Sequence, residues 1–307
     1  MSDLLKKLNN VTKDWNEDYF NKLAEDPYKE DRLYPENFSN WYTCIKSFGK
    51  FKSAKIIANQ IFTLDEVKVF QETDNIEKVN WDKLNSILKP TIDKMEPHKL
   101  YNIKNGCFSN KFDFDTCVAT RENLAEKLWK INYMSCMYDT GGYTELVVRE
   151  LIPYNSSKTA TIYNGMPLRE ELRVFYNMDK KQIEYVNDYW DYDYCMGKLP
   201  NKTDEIIFMW FHNKTRRRHE QHIHEINVMK QKIKEKIDTL KIEGLHGIWS
   251  IDFMLVTNTE KHNGIWLIDI ARAERSAYWN PARLTIDTKR ELGIIGKKKE
   301  NSNENSI

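Results

Sequence analysis

The chain has 307 residues, of which 40% are hydrophobic, 30% are charged and 12% are aromatic, and its formal net charge is +1. This composition is too apolar for a disordered protein, and the length allows two or three lobes. The balanced charge gives no reason to expect DNA, RNA or a membrane surface as a partner, and five cysteines without a C-x-x-C pair favour free thiols in a reducing cytoplasm.

The N-terminal segment at 1–95 is expected to be mostly helical and to form a substrate-side region. Within it, Trp81, Leu84 and Leu88 recur at helical spacing, and the pattern stops near Pro90. The N-terminus has no apolar signal core, and no later window approaches the length of a membrane span. We therefore expect a cytoplasmic protein with no membrane partner.

From residue 98 onward the sequence predicts strands that alternate with separate helices. A strand is predicted at 99–104, then a loop, and an amphipathic helix at 121–138. The other predicted elements are strands at 145–152, 159–163, 171–177, 182–188 and 205–211 and a long helix at about 215–241. Residues 296–307 form a low-complexity tail that we expect to be disordered. Strands that run into hairpins, with helices kept apart, predict an α+β fold.

Two aspartates, Asp252 and Asp269, lie in consecutive apolar strands near the end of the chain. The strands at 247–256 and 264–270 flank an Asn-Gly turn, which is a hairpin signal. Neighbouring carboxylates in such strands repel each other unless a cation lies between them, and Mg²⁺ binds carboxylate oxygens while leaving positions for phosphate. The pair therefore suggests a metal–nucleotide site. The alternative is that each carboxylate faces solvent or accepts backbone hydrogen bonds.

Basic residues that suit phosphate occur singly, because the chain has no Walker loop and no G-x-G-x-x-G motif. Lys104 ends a strand and Lys111 follows a loop, while Arg149 and Arg173 lie inside apolar strands. A buried arginine needs a carboxylate or an anionic ligand, and the planar guanidinium fits phosphate oxygens well. The alternative is a structural salt bridge between one of these arginines and Glu171.

The order of these motifs resembles that of the ATP-grasp superfamily over residues 98–275. The motifs, in chain order, are the strand that carries Lys104, a Ser-x-Lys loop (Ser109, Lys111), Val-Val-Arg-Glu-Leu-Ile-Pro at 147–153, Glu-Leu-Arg-Val-Phe at 171–175 and the aspartate hairpin. The resemblance is to the eukaryotic cell-division-cycle ATP-grasp proteins that assist initiation-factor assembly, and to phage and bacterial ATP-grasp ligases. The order and spacing of the motifs, rather than any single motif, support this resemblance.

This resemblance implies a small lobe at 96–152 and a large lobe at 153–295 that together grip ATP. The implied ATP-binding residues are Lys104, Ser109, Lys111, Arg149, the adenine-binding hinge Glu150, Leu151 and Ile152, then Glu171 near the ribose, and Arg173. Arg173 would reach the γ-phosphate, and it and Lys104 would be the catalytic residues. Asp252 and Asp269 would hold Mg²⁺ against the β- and γ-phosphates, as phosphoryl transfer requires.

One position departs from the family pattern. Two residues after the last aspartate the family commonly has an asparagine, whereas Ala271 stands here. A methyl group cannot ligate a cation, so water or another residue, with Glu274 as a candidate, would have to supply that position.

Three functions are compatible with these residues. The first is an ATP- and Mg²⁺-dependent ligase that joins a carboxylate to an amine through an acyl phosphate, with a peptide or protein as one class of substrate. The second is an ATP-binding assembly chaperone with little or no turnover, which Ala271 favours. The third is a nucleotidyltransferase or nucleic-acid ligase in which Lys104 becomes adenylylated. That motif has glycine three residues after the lysine, where Cys107 stands here.

Overall fold

The computed structural model describes residues 17–154, 159–213, 216–256 and 263–295, and it is an α+β structure. The α-helices are α1 (Glu17–Leu33), α2 (Phe38–Tyr42), α3 (Leu64–Gln71), α4 (Trp81–Ile92), α5 (Leu124–Met137), α6 (Tyr192–Met196), α7 (Lys202–Asn213), α8 (Arg216–Lys236) and α9 (Ile286–Glu291). The strands are β1 (Ile45–Ser47), β2 (Lys52–Ser53), β3 (Ile56–Ile61), β4 (Tyr101–Asn105), β5 (Val118–Ala119), β6 (Glu145–Glu150), β7 (Thr161–Ile162), β8 (Met166–Pro167), β9 (Glu171–Asn177), β10 (Gln182–Asp188), β11 (Lys241–Ile242), β12 (Ile248–Val256) and β13 (Gly264–Arg272).

Four strands form an antiparallel sheet in the order β3–β6–β4–β5. Its strand β6 is apolar on both faces, as a strand with protein on each side should be. Leu146 and Val148 belong to the core that α3, α4 and α5 share with this sheet. Val147, which alternates to the other face, belongs to the core of a second sheet. The four-stranded sheet is therefore packed between its own helices and the rest of the molecule.

The segment at 1–95 contains helices α1 to α4, but it also contains strands β1, β2 and β3. Strand β3 pairs with β6 and places Asn59 directly opposite Val147. Three isoleucines in six residues give this stretch the β-branched side chains that fit a sheet. The expected helical character thus holds for only part of the segment, and β3 belongs to the four-stranded sheet.

Five strands form the second sheet in the order β10–β9–β12–β13–β2. Its pairs are antiparallel except β13–β2, which is parallel. The strands predicted at 171–177 and 182–188 are confirmed as β9 and β10, and the aspartate hairpin is confirmed as β12 and β13. Residues 257–262 of the hairpin turn lie outside the described residues.

The long predicted helix is confirmed as α8, which packs on the five-stranded sheet. Ile226, Met229 and Ile233 are spaced three or four residues apart and are buried in the core of that sheet. The predicted strands at 99–104, 145–152 and 159–163 and the helix at 121–138 are likewise found, as β4, β6, β7 and α5.

The strand predicted at 205–211 is wrong, because these residues lie within α7. Their β-branched and aromatic side chains are typical of a strand. However, the Asn201 side chain accepts a hydrogen bond from the backbone amide of Asp204 at 2.9 Å, which favours the start of a helix. Phe208 is completely buried while Trp210, two residues later, is 59% exposed. One helical face therefore packs against the protein and the other faces solvent.

Two small ladders complete the described structure: β1 pairs with β11, and β7 pairs with β8. Across the described ranges, no helix has both the length and the hydrophobicity required to cross a bilayer. The tail predicted at 296–307 lies outside the described residues.

Candidate functional site

Four polar side chains form a row across the five-stranded sheet. In the register of β10, β9, β12 and β13, Asn187 lies opposite Arg173, Arg173 opposite Asp252, and Asp252 opposite Asp269. Residues directly opposite each other on neighbouring strands share one face of a sheet. The two aspartates predicted to act together are therefore adjacent, and Arg173 is beside them.

Arg173 and Asp252 form a bidentate ion pair. Arg173 Nε donates to Asp252 Oδ1 at 2.8 Å, and its Nη2 donates to Oδ2 at 2.7 Å. Both residues are 9% exposed. Burial opposes the guanidinium charge, but the Asp252 carboxylate outweighs it and raises the pKa of Arg173. The carboxylate partner of this strand arginine is thus Asp252 and not Glu171.

Lys104 reaches the second aspartate from the other sheet. Its Nζ, at the end of β4, donates to Asp269 Oδ2 at 2.7 Å. The lysine side chain is 2% exposed and the aspartate side chain 29% exposed. A buried ammonium needs such a partner because its desolvation is costly. The ion pair therefore connects the four-stranded sheet to the aspartate hairpin.

A β-bulge lies at the aspartate pair. Asp252 is opposite Asp269, whereas the next residue, Phe253, is opposite Leu267, so Ile268 is the extra residue. Its carbonyl oxygen accepts a hydrogen bond from Arg149 Nη1 of β6 at 2.7 Å. The bulge thus supplies a carbonyl to the opposite sheet at the edge of the site.

Arg149 has neutral partners. Besides the carbonyl of Ile268, it donates through Nε to Asn102 Oδ1 at 2.8 Å. Burial lowers the pKa of Arg149, while the nearby Asp269 carboxylate acts in the opposite direction. Because its hydrogen bonds here go to neutral oxygens, this guanidinium remains suited to an anionic ligand.

Lys111 lies over the ring of Tyr189, with its Nζ 4.4 Å from the ring centroid and hydrogen-bonded to the phenol oxygen. The Arg173 guanidinium lies 4.8 Å from the same ring. Burial and the nearby Arg173 lower the pKa of Lys111 to about 8, against the opposing effect of Asp252 and Glu171. The ring of Tyr189 therefore holds together two cations that would otherwise repel each other.

Glu171 lies in β9, two residues before Arg173 and hence on the same face, and it is 7% exposed. Burial and the Asp252 carboxylate raise its pKa to about 8, although Lys111 opposes the shift. A carboxyl group that titrates near neutral pH beside a lysine of similar pKa can exchange protons with its surroundings. Glu171 thus differs from Asp252 and Asp269, each of which is hydrogen-bonded to a cation.

This shifted pKa predicts a pH-dependent stability. Between its ordinary pKa of 4.5 and about 8, Glu171 holds its proton more tightly in the folded chain, so its contribution to stability falls as pH rises. Glu171→Gln removes this titration. From pH 5 to pH 8, the free energy of unfolding of the parent chain should fall by about 3–4 kcal/mol relative to that of the variant. Urea unfolding at several pH values measures the difference. Glu170→Gln is the neighbouring control, and a difference that does not depend on pH would contradict the assignment.

The predicted hinge follows β6, which ends at Glu150. The backbone amide of Glu150 donates to the carbonyl of Lys55 at 2.9 Å. Arg169, 5% exposed, donates through Nη2 to the carbonyl oxygens of Ile152 and Pro153, both at 3.1 Å. One guanidinium therefore fixes the course of the chain where it leaves the four-stranded sheet.

An apolar cluster lies beside this hinge. Ala54, Met254, Val256 and Trp266 are buried together, with Ile152 and Ile268 packed against them. Met254 is in the same strand as Asp252, and Ile268 is the bulged residue next to Asp269. The cluster therefore adjoins both the hinge and the charged row.

Three residues that the sequence suggested for the site do not join the charged row. Ser109 accepts a hydrogen bond from the Cys117 thiol through its carbonyl oxygen, and among the described residues no hydrogen bond joins its hydroxyl to the charged row. Glu274 pairs with Arg272 and is half exposed. Ala271 lies opposite Ser250, whose hydroxyl is 2.6 Å from that of Ser276.

Two adjacent carboxylates are the type of donor that Mg²⁺ takes when it is bound together with a phosphate ligand. Such sites often use only one or two carboxylates and complete the coordination with water and phosphate oxygens. Within the described ranges, no group of three or more His, Cys, Asp or Glu side chains is placed to hold a metal. Asp252 and Asp269 could therefore hold Mg²⁺ with a nucleotide, but the residues around them do not form a complete protein cage.

Three contributors to the site escaped the sequence interpretation: Asn102, Arg169 and Tyr189. Arg169 stands two residues before β9, between the buried Leu168 and two glutamates, and this charged context gives little indication that the arginine is buried. Tyr189 lies in a stretch of aromatic and acidic residues, and that composition gives no indication of the two cations beside its ring.

Comparison with known proteins gives no family assignment. The chain matches no known protein-family model, and no curated protein is significantly similar to it. Any functional conclusion therefore depends on the geometry of the two aspartates and the cations that surround them.

Proposed function

We propose that this chain binds ATP with Mg²⁺ between its two sheets and uses it to join a carboxylate to an amine. The observation that carries the proposal is the adjacent pair of Asp252 and Asp269, each held by a cation, one of which comes from the opposite sheet. This charge arrangement is the one that a metal-bound triphosphate requires, and the motif order resembles that of ATP-grasp ligases.

The charged row would change partners when the nucleotide binds. Lys104 and Arg173 now neutralise the two carboxylates, and they would donate to phosphate oxygens instead once Asp252 and Asp269 hold Mg²⁺. The ion supplies neutralisation of the charge that develops on the phosphates. Lys111 and Arg149, from the four-stranded-sheet side, would add further donors. Catalysis would thus come from positioning and charge rather than from a protein nucleophile.

The base of the nucleotide would lie in the apolar cluster beside the hinge. Ile152 contributes to that cluster and its carbonyl is held by Arg169, so the hinge backbone of Glu150, Leu151 and Ile152 is fixed next to apolar surface. A planar base packed there would place its phosphates towards the aspartate pair, because Met254 and Asp252 are two residues apart in one strand.

Arg169→Leu tests this arrangement. The substitution leaves the carbonyls of Ile152 and Pro153 without their donor, so we expect the hinge to loosen and the Kd of ATP to rise about 10-fold. The Kd of AMP should rise to the same extent, since the change affects the base and not the phosphates. Calorimetric titration with both nucleotides measures this, and a loss confined to ATP would contradict it.

The ligase itself is tested by turnover. The full chain, incubated with ATP, Mg²⁺ and mixtures of amino acids or peptides, should release ADP and phosphate only when a carboxylate and an amine are both present, with a new amide detected by mass spectrometry. Release of pyrophosphate together with a lysine-linked adenylate would instead indicate nucleotidyl transfer. If calorimetry detects no ATP binding in the presence of Mg²⁺, the proposal fails.

One observation favours a second function, that of an ATP-binding assembly chaperone with little turnover. Ala271 removes a ligand position, and the described residues contain no group of three metal-ligating side chains. An incomplete metal site can support nucleotide binding while leaving phosphoryl transfer slow. Tight Mg²⁺–ATP binding without ADP release in any mixture would support this function over the ligase.

A further inference from the structure

Tyr189 is fixed beside the charged row, immediately after the end of β10. Its backbone amide donates to the carbonyl of Glu171 at 2.9 Å, and its own carbonyl accepts from the hydroxyl of Tyr278 at 2.8 Å. Its ring packs edge-on against that of Trp190, with 5.2 Å between the ring centroids, and the residue is 9% exposed. Because its backbone is hydrogen-bonded on both sides and its ring is packed, the side chain of Tyr189 has little freedom to move.

This side chain offers different groups to two cations. Its hydroxyl accepts a hydrogen bond from Lys111 Nζ, whereas the guanidinium of Arg173 lies 4.8 Å from the centre of its ring. Lys111 begins the 3₁₀ segment Lys111–Cys117 between β4 and β5, and Arg173 lies in β9, so Tyr189 joins one cation from each sheet side. The ring of Phe112 is a weaker contact for Lys111, since it is 5.7 Å from Nζ and 52% exposed.

Carboxylates near Lys111 would be stronger partners than a phenol. Asp252 and Glu171 lie near enough to favour the charged form of Lys111, but the hydrogen bond that its Nζ makes within the described part of the chain goes to Tyr189. A desolvated ammonium gains more from an ionised acceptor than from a neutral hydroxyl. The phenol therefore holds Lys111 away from these carboxylates, and a cation bonded to a neutral oxygen keeps its charge available for an anionic ligand.

We propose that Tyr189 is a positioning residue that keeps Lys111 and Arg173 side by side for the terminal phosphates of the nucleotide, a role that rests on the proposed function. The hydroxyl fixes Lys111 and the ring fixes Arg173, so both cations are in place before ATP arrives. A site that is ordered in advance avoids the cost of immobilising long side chains when the ligand binds. AMP lacks the terminal phosphates and gains nothing from this arrangement.

Two substitutions in the full chain separate the hydroxyl from the ring. Tyr189→Phe removes only the acceptor of Lys111, so the Kd of ATP should rise about 3- to 10-fold. Tyr189→Leu also removes the ring, so the Kd should rise about 10-fold further, while the Kd of AMP stays unchanged in both variants. Tyr101→Phe is the matched control, because Tyr101 is also buried, accepts from the backbone amide of Glu96 and has Lys99 over its ring. Calorimetry that finds ATP binding unchanged in both variants, or ATP and AMP equally weakened, would overturn the proposal.

A second measurement does not depend on ATP. The NMR signals of the Lys111 side chain, identified by their loss in Lys111→Arg, report its pKa, which we expect near 8 in the parent chain. In Tyr189→Phe the released ammonium can reach Glu171 or Asp252, so its pKa should rise towards the ordinary value of 10.5. A pKa that is the same in the parent chain, Tyr189→Phe and Tyr189→Leu would refute the positioning role whether or not ATP binds. A raised pKa in a chain that binds no ATP would instead reject the proposed nucleotide and retain the positioning of Lys111.

Discussion

Asp269→Asn is expected to abolish Mg²⁺-dependent ATP binding while the chain remains folded. The substitution removes one of the two carboxylates that could hold the ion. Loss of a group that only supports a metal ligand costs 10- to 100-fold in affinity, so loss of the ligand itself should cost about 100-fold or more. Lys104 would keep an oxygen acceptor at position 269, so the stability should fall by only about 1–3 kcal/mol.

Calorimetric titration with ATP, in Mg²⁺ and again in EDTA, measures this effect. Asp179→Asn is the matched control. Asp179 also accepts hydrogen bonds, from His246 and the backbone amide of Gly247, but it is exposed and lies beyond the end of β9, away from the aspartate pair. The parent chain and the control should bind ATP more tightly in Mg²⁺ than in EDTA. An Asp269→Asn chain that still shows this difference would exclude Asp269 from the metal site.

The main strands of the five-stranded sheet could be predicted because their residue types favour a strand over a helix or a loop. Residues 171–177 are buried at every position, and their run of apolar and β-branched side chains is typical of a central strand. The same criterion failed at 205–211, where the helix depends on Asn201 upstream and on the burial of Phe208 against Trp190 and Tyr192. Local composition decides the element only where tertiary packing agrees with it.

The chemistry of the site was visible in the sequence, but its pairing was not. Carboxylates and cations inside apolar strands must find partners, which singled out Asp252, Asp269, Lys104 and Arg173. Which cation meets which carboxylate depends on strand register and on the bulge at Ile268, and neither can be read from residue types. The apolar cluster beside the hinge could not be foreseen either, because it combines residues from β12, β13 and the segment between β2 and β3.

Arg173→Ala should produce the largest change in stability and a selective loss of ATP. Asp252 is 9% exposed, and without Arg173 it would be a buried charge that has lost its hydrogen-bonded counter-ion, which costs about 3–5 kcal/mol of the free energy of unfolding. The variant would also lack the guanidinium that we propose for the γ-phosphate, so the Kd of ATP should rise far more than the Kd of AMP. Urea unfolding and calorimetry with the two nucleotides measure both effects.

Two further variants distinguish the effect of Arg173 on stability from its effect on ATP binding. Arg283→Ala is the control, since the Arg283 guanidinium lies over the ring of Tyr185 at 4.4 Å, much as Arg173 lies over Tyr189, but is exposed. The double variant Arg173→Met with Asp252→Leu removes both buried charges and should recover most of the lost stability, because apolar residues often replace a buried ion pair without cost. It should still fail to bind ATP with Mg²⁺. If the double variant binds ATP as the parent chain does, or if Arg173→Ala weakens ATP and AMP equally, the pair has only a structural role and the nucleotide lies elsewhere.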